Sequence, residues 1–274
     1  MDLSDICLKV CDIARKAGGF IRKEAASFNS SLIEVKGLHN FVSYVDKGAE
    51  KIIIEALSQL IPDSAFLAEE GTVENRAESR FRWIIDPLDG TTNFIHGLPP
   101  YSVSIALSDG EDIVLGVVYE VCLDECFYAW KNGGAWLNGT PVKVSSRAGL
   151  RDSLIATGFP YTDFQNMAGY MASLDWFMRN THGARRLGSA AADLAYVACG
   201  RVEAFYEYSL QPWDVAAGAI IIREAGGCVS DFSGGGNFIY GKEIIATNSM
   251  VFEEFSLVVR KFMAINNKDT GNNA

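Results

Sequence analysis

An apolar run, Trp83-Ile84-Ile85, leads straight into Asp86-Pro87-Leu88-Asp89-Gly90-Thr91-Thr92-Asn93. The spacing puts two carboxylates three residues apart at the end of a predicted strand. The Gly-Thr-Thr-Asn that follows reads as a tight turn opening a helix, whose unpaired N–H groups and positive dipole end make an anion site. Carboxylates and an anion site share one place when divalent cations bridge them, and hard oxygen ligands in this number suit magnesium. Taken singly, Asp86 or Asp89 would be a capping or turn residue. A second apolar run, Phe66-Leu67-Ala68, delivers Glu69-Glu70-Gly71 to a loop, which alone reads as a solvated loop. A third acid, Asp214, starts the segment Pro212-Trp213-Asp214-Val215-Ala216-Ala217-Gly218, and by itself it reads equally well as a helix N-cap. Ala216, Ala217 and Gly218 would let that helix approach a neighbouring backbone, and Gly226-Gly227 would end it.

At these residues the chain resembles the inositol monophosphatase family. Asp86–Asn93 matches its Asp-Pro-x-Asp-Gly-Thr-x-Asn string, and Trp213–Gly218 matches its Trp-Asp-x-Ala-Ala-Gly string. The resemblance runs from the first helix to about residue 262, and Ala156-Thr157-Gly158-Phe159-Pro160-Tyr161 is similar to the inositol phosphatase branch. It implies that Glu69, Asp86 and the backbone carbonyl of Leu88 bind one magnesium, that Asp86, Asp89 and Asp214 bind a second, and that Glu69 assists a third. It implies that Thr91, paired with Asp46, positions the attacking water, with Glu69 also in the catalytic set. The N–H groups of Gly90 and Thr91 would contact the phosphate. Asp89, Gly188, Ala190 and Glu207 would face the rest of the substrate, a small phosphorylated polyol. Inhibition by lithium and a homodimer are further implications. Some positions depart from the family pattern: Ser43 stands for a common Thr, Asn40-Phe41 for Asp-Leu, Ala68 for Gly and Leu88 for Ile. None removes a metal ligand, and Leu88 would act through its carbonyl.

The elements that must hold these residues are legible in the periodicity. Residues 3–26 carry Leu3, Ile6, Val10, Ile13, Ala14, Ala17 and Ile21 at helical spacing, and 44–60 carry Val45, Ala49, Ile52, Ile53, Ala56 and Leu60. Short buried strands are predicted at 65–68 and 82–85. Tyr101–Leu107, Ile113–Tyr119 and Glu125–Trp130 read as an antiparallel meander punctuated by Ser108-Asp109-Gly110, Asn132-Gly133-Gly134 and Asn138-Gly139. After residue 150 strands and helices alternate. The fold class is therefore α+β in a first half, 1–145, and α/β in a second, 146–265, the two forming one catalytic unit. With the resemblance, this becomes a layered αβαβα sandwich: a meander sheet first, then a mixed sheet flanked by helices. The tail 266–274 is expected to be disordered.

Composition bounds the function. The chain has 274 residues and a formal charge of −10, which disfavours nucleic acid as a partner because phosphate backbones need clustered Lys and Arg. The start carries acids and lacks the signature of a signal peptide, and no apolar stretch reaches the roughly 18 residues of a membrane span, so a cytoplasmic protein with no membrane partner is expected. Six cysteines in such a chain read as reduced, buried thiols. None lies in a Cys-x5-Arg phosphatase loop, and His39, His96 and His182 show no paired spacing; His96 reads as structural. The reaction predicted is magnesium-dependent hydrolysis of a phosphate monoester, most specifically myo-inositol 1-phosphate, without a covalent intermediate. Two alternatives stand beside it. One is a phosphatase of the same fold for fructose 1,6-bisphosphate, a sugar phosphate, histidinol phosphate or an adenosine bisphosphate. The other is a regulatory binding protein that retains the site. Glu207, Gly188–Ala190 and the loop near Lys36 would decide the substrate.

Overall fold

The apolar period at the start of the chain becomes a helix, α1 (Leu3–Ala25), capped by Asp2, whose carboxylate accepts the Ser4 N–H at 3.0 Å. Its buried stripe runs from Ile6 to Ile21. A computed structural model describes residues 1–27, 44–72, 79–161 and 163–263 with their side chains, and 34–37 and 40–42 by backbone. The expectations for the Lys36 side chain and the tail 266–274 lie outside the described residues. The strands β1 (Glu34–Gly37) and β2 (Asn40–Val42) pair antiparallel, and α2 (Tyr44–Leu60) then packs against α1.

The next strands are β3 (Ala65–Ala68), β4 (Phe81–Asp89), β5 (Ser102–Asp109), β6 (Asp112–Glu120), β7 (Glu125–Trp130), β8 (Ala135–Leu137) and β9 (Thr140–Val142), with the one-turn helix α3 (Thr91–Ile95) after β4. They form one sheet in sequence order. The expected meander is present as β5 to β7, and the antiparallel run extends further, from β4 to β9, but the sheet is mixed, because β3 joins β4 in parallel. Residues alternate between its faces. Trp83, Ile85, Val103, Ile105 and Val117 pack under α1 and α2, whereas Ile84, Ala106, Val118 and Phe127 face the other way.

The remaining elements are β10 (Leu154–Thr157), α4 (Met167–Asn180), β11 (Gly183–Arg185), α5 (Ala190–Ala198), β12 (Ala204–Tyr208), α6 (Pro212–Glu224), β13 (Gly227–Ser230), β14 (Glu243–Asn248) and α7 (Phe252–Met263). A second mixed sheet has the order β11-β10-β12-β14-β13, with β10 parallel to both its neighbours and β14 antiparallel to both of its own. The helices α5 and α6 lie between the two sheets, since their apolar residues share a core with Ile84, Ala106 and Phe127 on one side and Phe205, Ile244 and Ala246 on the other. Tyr170 and Phe177 of α4 and Phe255 and Val259 of α7 cover the far face with Tyr206 and Ile245. The layers are thus α1/α2, sheet, α5/α6, sheet, α4/α7, the αβαβα order expected.

Val215–Ile222 of α6 are buried without a break between the two sheets, which is why this stretch carries small residues. A Cβ at Gly116 of β6 would sit 2.6 Å from the Ala217 carbonyl oxygen and 2.9 Å from the Ala217 Cα, so glycine there sets the distance between sheet and helix. Among the described residues, no helix is long and apolar enough to cross a membrane. The cysteines divide more finely than expected. Cys7, Cys11 and Cys126 are buried and lie together, whereas Cys122 is exposed in the turn between β6 and β7.

Candidate active site

The parallel ladder of β3 and β4 continues one residue further, with the Glu69 N–H donating to the Ile85 carbonyl at 3.2 Å, so Glu69 leaves the sheet beside the end of β4. Behind this loop Glu50 of α2 is fully buried, and its carboxylate accepts the N–H groups of Glu70 at 2.8 Å and Thr72 at 2.7 Å. β4 carries Asp86 and Asp89, and its register with β5 slips between them. That irregularity accommodates Pro87, which has no N–H to give a ladder. Asp86 Oδ1 accepts the Leu88 N–H at 2.9 Å. Gly90 then turns the chain with φ +93°, a conformation that favours glycine, and a Cβ there would also press on the Pro100 carbonyl at 3.1 Å. The turn delivers the Thr91 hydroxyl 2.9 Å from Asp46 Oδ1 and 3.0 Å from the Leu88 carbonyl oxygen.

The other wall comes from the second sheet and the middle helices. Ser189 caps α5, and its hydroxyl donates to Asp89 Oδ2 at 2.6 Å, while the Ala191 N–H donates to the same oxygen at 2.7 Å. A helix N-terminus therefore holds Asp89 across the gap between layers. Asn93 reinforces that crossing by donating to the carbonyls of Pro100 at 2.7 Å and Leu187 at 2.8 Å. Ser104 donates to the Trp213 carbonyl at 3.0 Å, which ties the start of α6 to β5. Asp214 is not the N-cap read as one alternative from sequence. The cap is Gln211, and Asp214 stands three residues on in a capping box, its Oδ2 accepting the Gln211 N–H at 2.7 Å. Glu207 on β12 is buried against Gly158, where a Cβ would come within 2.0 Å of its Oε2.

These walls enclose a cavity of about 490 Å³. Glu69, Asp86, Leu88, Asp89, Gly90, Thr91, Gly188, Ala190, Glu207 and Asp214 all line it. Asp46 stands behind the lining, hydrogen-bonded to Thr91. His96 is the C-cap of α3 and is not among the residues that line the cavity. Among the lining residues that the sequence alone does not single out are two charged ones, Arg186 and Asp193. Their signals were an Arg-Arg pair in an acidic chain and a lone acid in an alanine-rich helix. Arg186 lies over the rings of Phe159 and Tyr161, 5.5 and 5.7 Å from their centroids, and donates to the Tyr161 hydroxyl.

The charge in this cavity is unbalanced. Burial, followed by repulsion from Glu69, Asp89 and Asp214, pushes the Asp86 carboxyl far above the ordinary carboxylate range. Burial raises Asp89 to about 6, against the opposing hydrogen bonds from Ser189, Ala191 and Ala190 and the charge of Arg186. Burial raises Asp214 strongly too, with Asp89 and Glu207 adding repulsion. The arrangement fits divalent cations, since buried carboxylates that repel one another are relieved by a shared positive ion. Among the described residues no group of three His, Cys, Asp or Glu side chains is already drawn into ligating geometry, and the acids lean instead on Leu88, Ser189, Ala191 and Gln211.

Comparison with known proteins gives a consistent result. Residues 2–262 match the model of the inositol monophosphatase family. The chain is 41% identical over 249 residues to the inositol-1-monophosphatase of Mesorhizobium japonicum, covering 90% of this chain and 93% of that protein. It is 42% identical over 238 residues to the Nus factor SuhB of Escherichia coli K12, covering 87% and 89%. The solved inositol monophosphatase of Anabaena superposes with a TM-score of 0.85 at 32% identity, covering 97% of this chain and all of that one.

Proposed function

This chain belongs to the inositol monophosphatase family, and on that premise we propose that it hydrolyses myo-inositol 1-phosphate, or a closely similar polyol monophosphate, to the alcohol and phosphate. The observation that carries the proposal is the meeting of Glu69, Asp86, Asp89 and Asp214 in one cavity beside the Gly90-Thr91 turn. Glu69, Asp86 and the Leu88 carbonyl would hold one magnesium, and Asp86, Asp89 and Asp214 another, with Glu69 available to a third. Bound magnesium supplies a Lewis acid that neutralises phosphate charge and lowers the pKa of water.

The chain's own residues do the rest. Asp46 accepts from the Thr91 hydroxyl and so fixes which lone pair Thr91 turns towards the cavity. In that orientation Thr91 accepts a hydrogen bond from the attacking water and aims the water oxygen at phosphorus. The Gly90 and Thr91 N–H groups bind phosphate oxygens at the opening of α3. Glu207, beside Gly188 and Ala190, accepts hydrogen bonds from the alcohol, as a carboxylate can from two hydroxyls. By family resemblance the working form is a cytoplasmic homodimer inhibited by lithium.

The test is Asp89→Asn, assayed on myo-inositol 1-phosphate with magnesium. Turnover should fall at least about a thousandfold while the circular dichroism spectrum stays native. Near-normal turnover would overturn the assignment. A panel including fructose 1,6-bisphosphate and an adenosine bisphosphate identifies the alcohol. The name Nus factor, carried by the Escherichia coli relative, favours a second reading in which a macromolecular partner binds the same chain. Asp89→Asn separates the two, because partner binding should survive the loss of hydrolysis.

A further inference from the structure

Asp193 is a buried acid with no assigned task. It stands three residues beyond Ala190 on α5, on the same helix face, and lines the cavity beside Glu207. Only 1% of its surface is exposed, and its Oδ1 is buried without a hydrogen-bond partner among the described residues. An acid in the first turn of a helix complements the dipole, but only modestly. Burying one with an unpaired oxygen costs free energy unless something enters to satisfy it. The neighbouring cation is similarly unfinished, since the Arg186 Nε is buried without a partner. Asp193, Arg186 and Glu207 influence one another electrostatically, so the three form one cluster at the alcohol end of the cavity.

We propose that Asp193 is a specificity-determining residue, which accepts a hydrogen bond from a hydroxyl of the substrate alcohol beside the one that Glu207 binds. The inference rests on the polyol-phosphatase reading above and deepens it. A hydroxyl is the occupant that fits. It is a neutral donor that can be buried at little cost, whereas a further cation would meet the repulsion of Arg186. A site that leaves a buried acceptor unpaired discriminates against any alcohol lacking the matching O–H. The class selected is thus an alcohol with at least two hydroxyls beyond the phosphorylated one, and esters of hydroxyl-free alcohols are disfavoured.

The experiment compares kcat/KM for myo-inositol 1-phosphate and for 4-nitrophenyl phosphate, with magnesium, in the wild type, Asp193→Ala and Asp193→Asn. The ratio of the two values should fall about tenfold in Asp193→Ala. It should fall less in Asp193→Asn, which keeps the shape and one acceptor oxygen and is read alone should the alanine variant not fold. A ratio unchanged while both values drop together means a purely structural role and overturns the inference. So does an unchanged ratio with a higher magnesium requirement, which would mark Asp193 as a cation ligand. Wild-type protein that hydrolyses neither ester would sink the phosphatase reading itself, and this inference with it. An active enzyme with an unmoved ratio sinks only the role of Asp193.

Discussion

The Thr91 hydroxyl stands between two acceptors, Asp46 Oδ1 at 2.9 Å and the Leu88 carbonyl oxygen at 3.0 Å, and has one hydrogen to give. Asp46, on α2, comes from a different layer than Thr91, so the orientation of this hydroxyl depends on the packing of α2 against β4.

Thr91→Val keeps the branched shape and deletes the hydroxyl. On the proposed role, kcat should fall about 10²- to 10³-fold with KM little changed, because a hydroxyl that orients the attacking water contributes about that much to the transition state. Steady-state kinetics on myo-inositol 1-phosphate checks it. Equal loss in kcat and in magnesium affinity would instead place Thr91 among the metal-supporting groups.

The raised carboxyls give a pH dependence with a definite sign. Asp89, lifted by burial to about 6, binds its proton more tightly in the folded than in the unfolded chain. Its folded form is therefore favoured at low pH, and stability falls as pH climbs from the ordinary carboxylate range through about 6. Asp86 and Asp214, also raised, extend the loss upward. Metal-free protein in EDTA should melt several degrees lower at pH 8 than at pH 6. Magnesium should raise the melting temperature more at pH 8 than at pH 6, since protons and cations compete for the same oxygens. Differential scanning fluorimetry across that range decides the matter, and a magnesium effect independent of pH would contradict it.

Gly116→Ala tests the spacing between sheet and helix. The added Cβ would lie 2.6 Å from the Ala217 carbonyl oxygen, a backbone atom that cannot swing aside. The cost should be about 1–3 kcal/mol, or a melting temperature lower by several degrees. Because Asp214 stands three residues before Ala217 on α6, the magnesium concentration for half-maximal activity should also rise. Chemical denaturation and a magnesium titration measure the two effects separately.

Much of this architecture is legible in the sequence because its cues are local. The stripes of α1 and α2, the turns of the meander and the two acidic strings each declare themselves within about twenty residues. What stays hidden depends on distant partners. Nothing around Ala65–Ala68 tells that β3 will lie parallel to β4, and α6, though legible as a buried helix, shows no amphipathic period to say which layers it lies between. The task of Asp214 was blurred because a capping box and a lone N-cap look alike until the chain turns. Arg186 and Asp193 were missed because an arginine beside another arginine and an acid early in a helix both read as surface. Only the fold reveals that they point inward.

The cavity has two banks of different origin. Glu69, Asp86, Asp89 and Thr91 belong to the first sheet and its loops, while Gly158, Arg186, Asp193 and Glu207 belong to the second sheet and the segments leading out of it. The stitches between them, Ser189 to Asp89 and Asn93 to Leu187, fix the width of the gap without fixing what the far bank displays. On the proposed roles, hydrolysis and choice of alcohol are inherited largely separately, with Asp214 of α6 the hydrolytic residue that stands on the far bank. Descendants of such a chain could exchange one alcohol for another by rewriting a handful of positions on the far bank, with the hydrolytic bank passed on untouched.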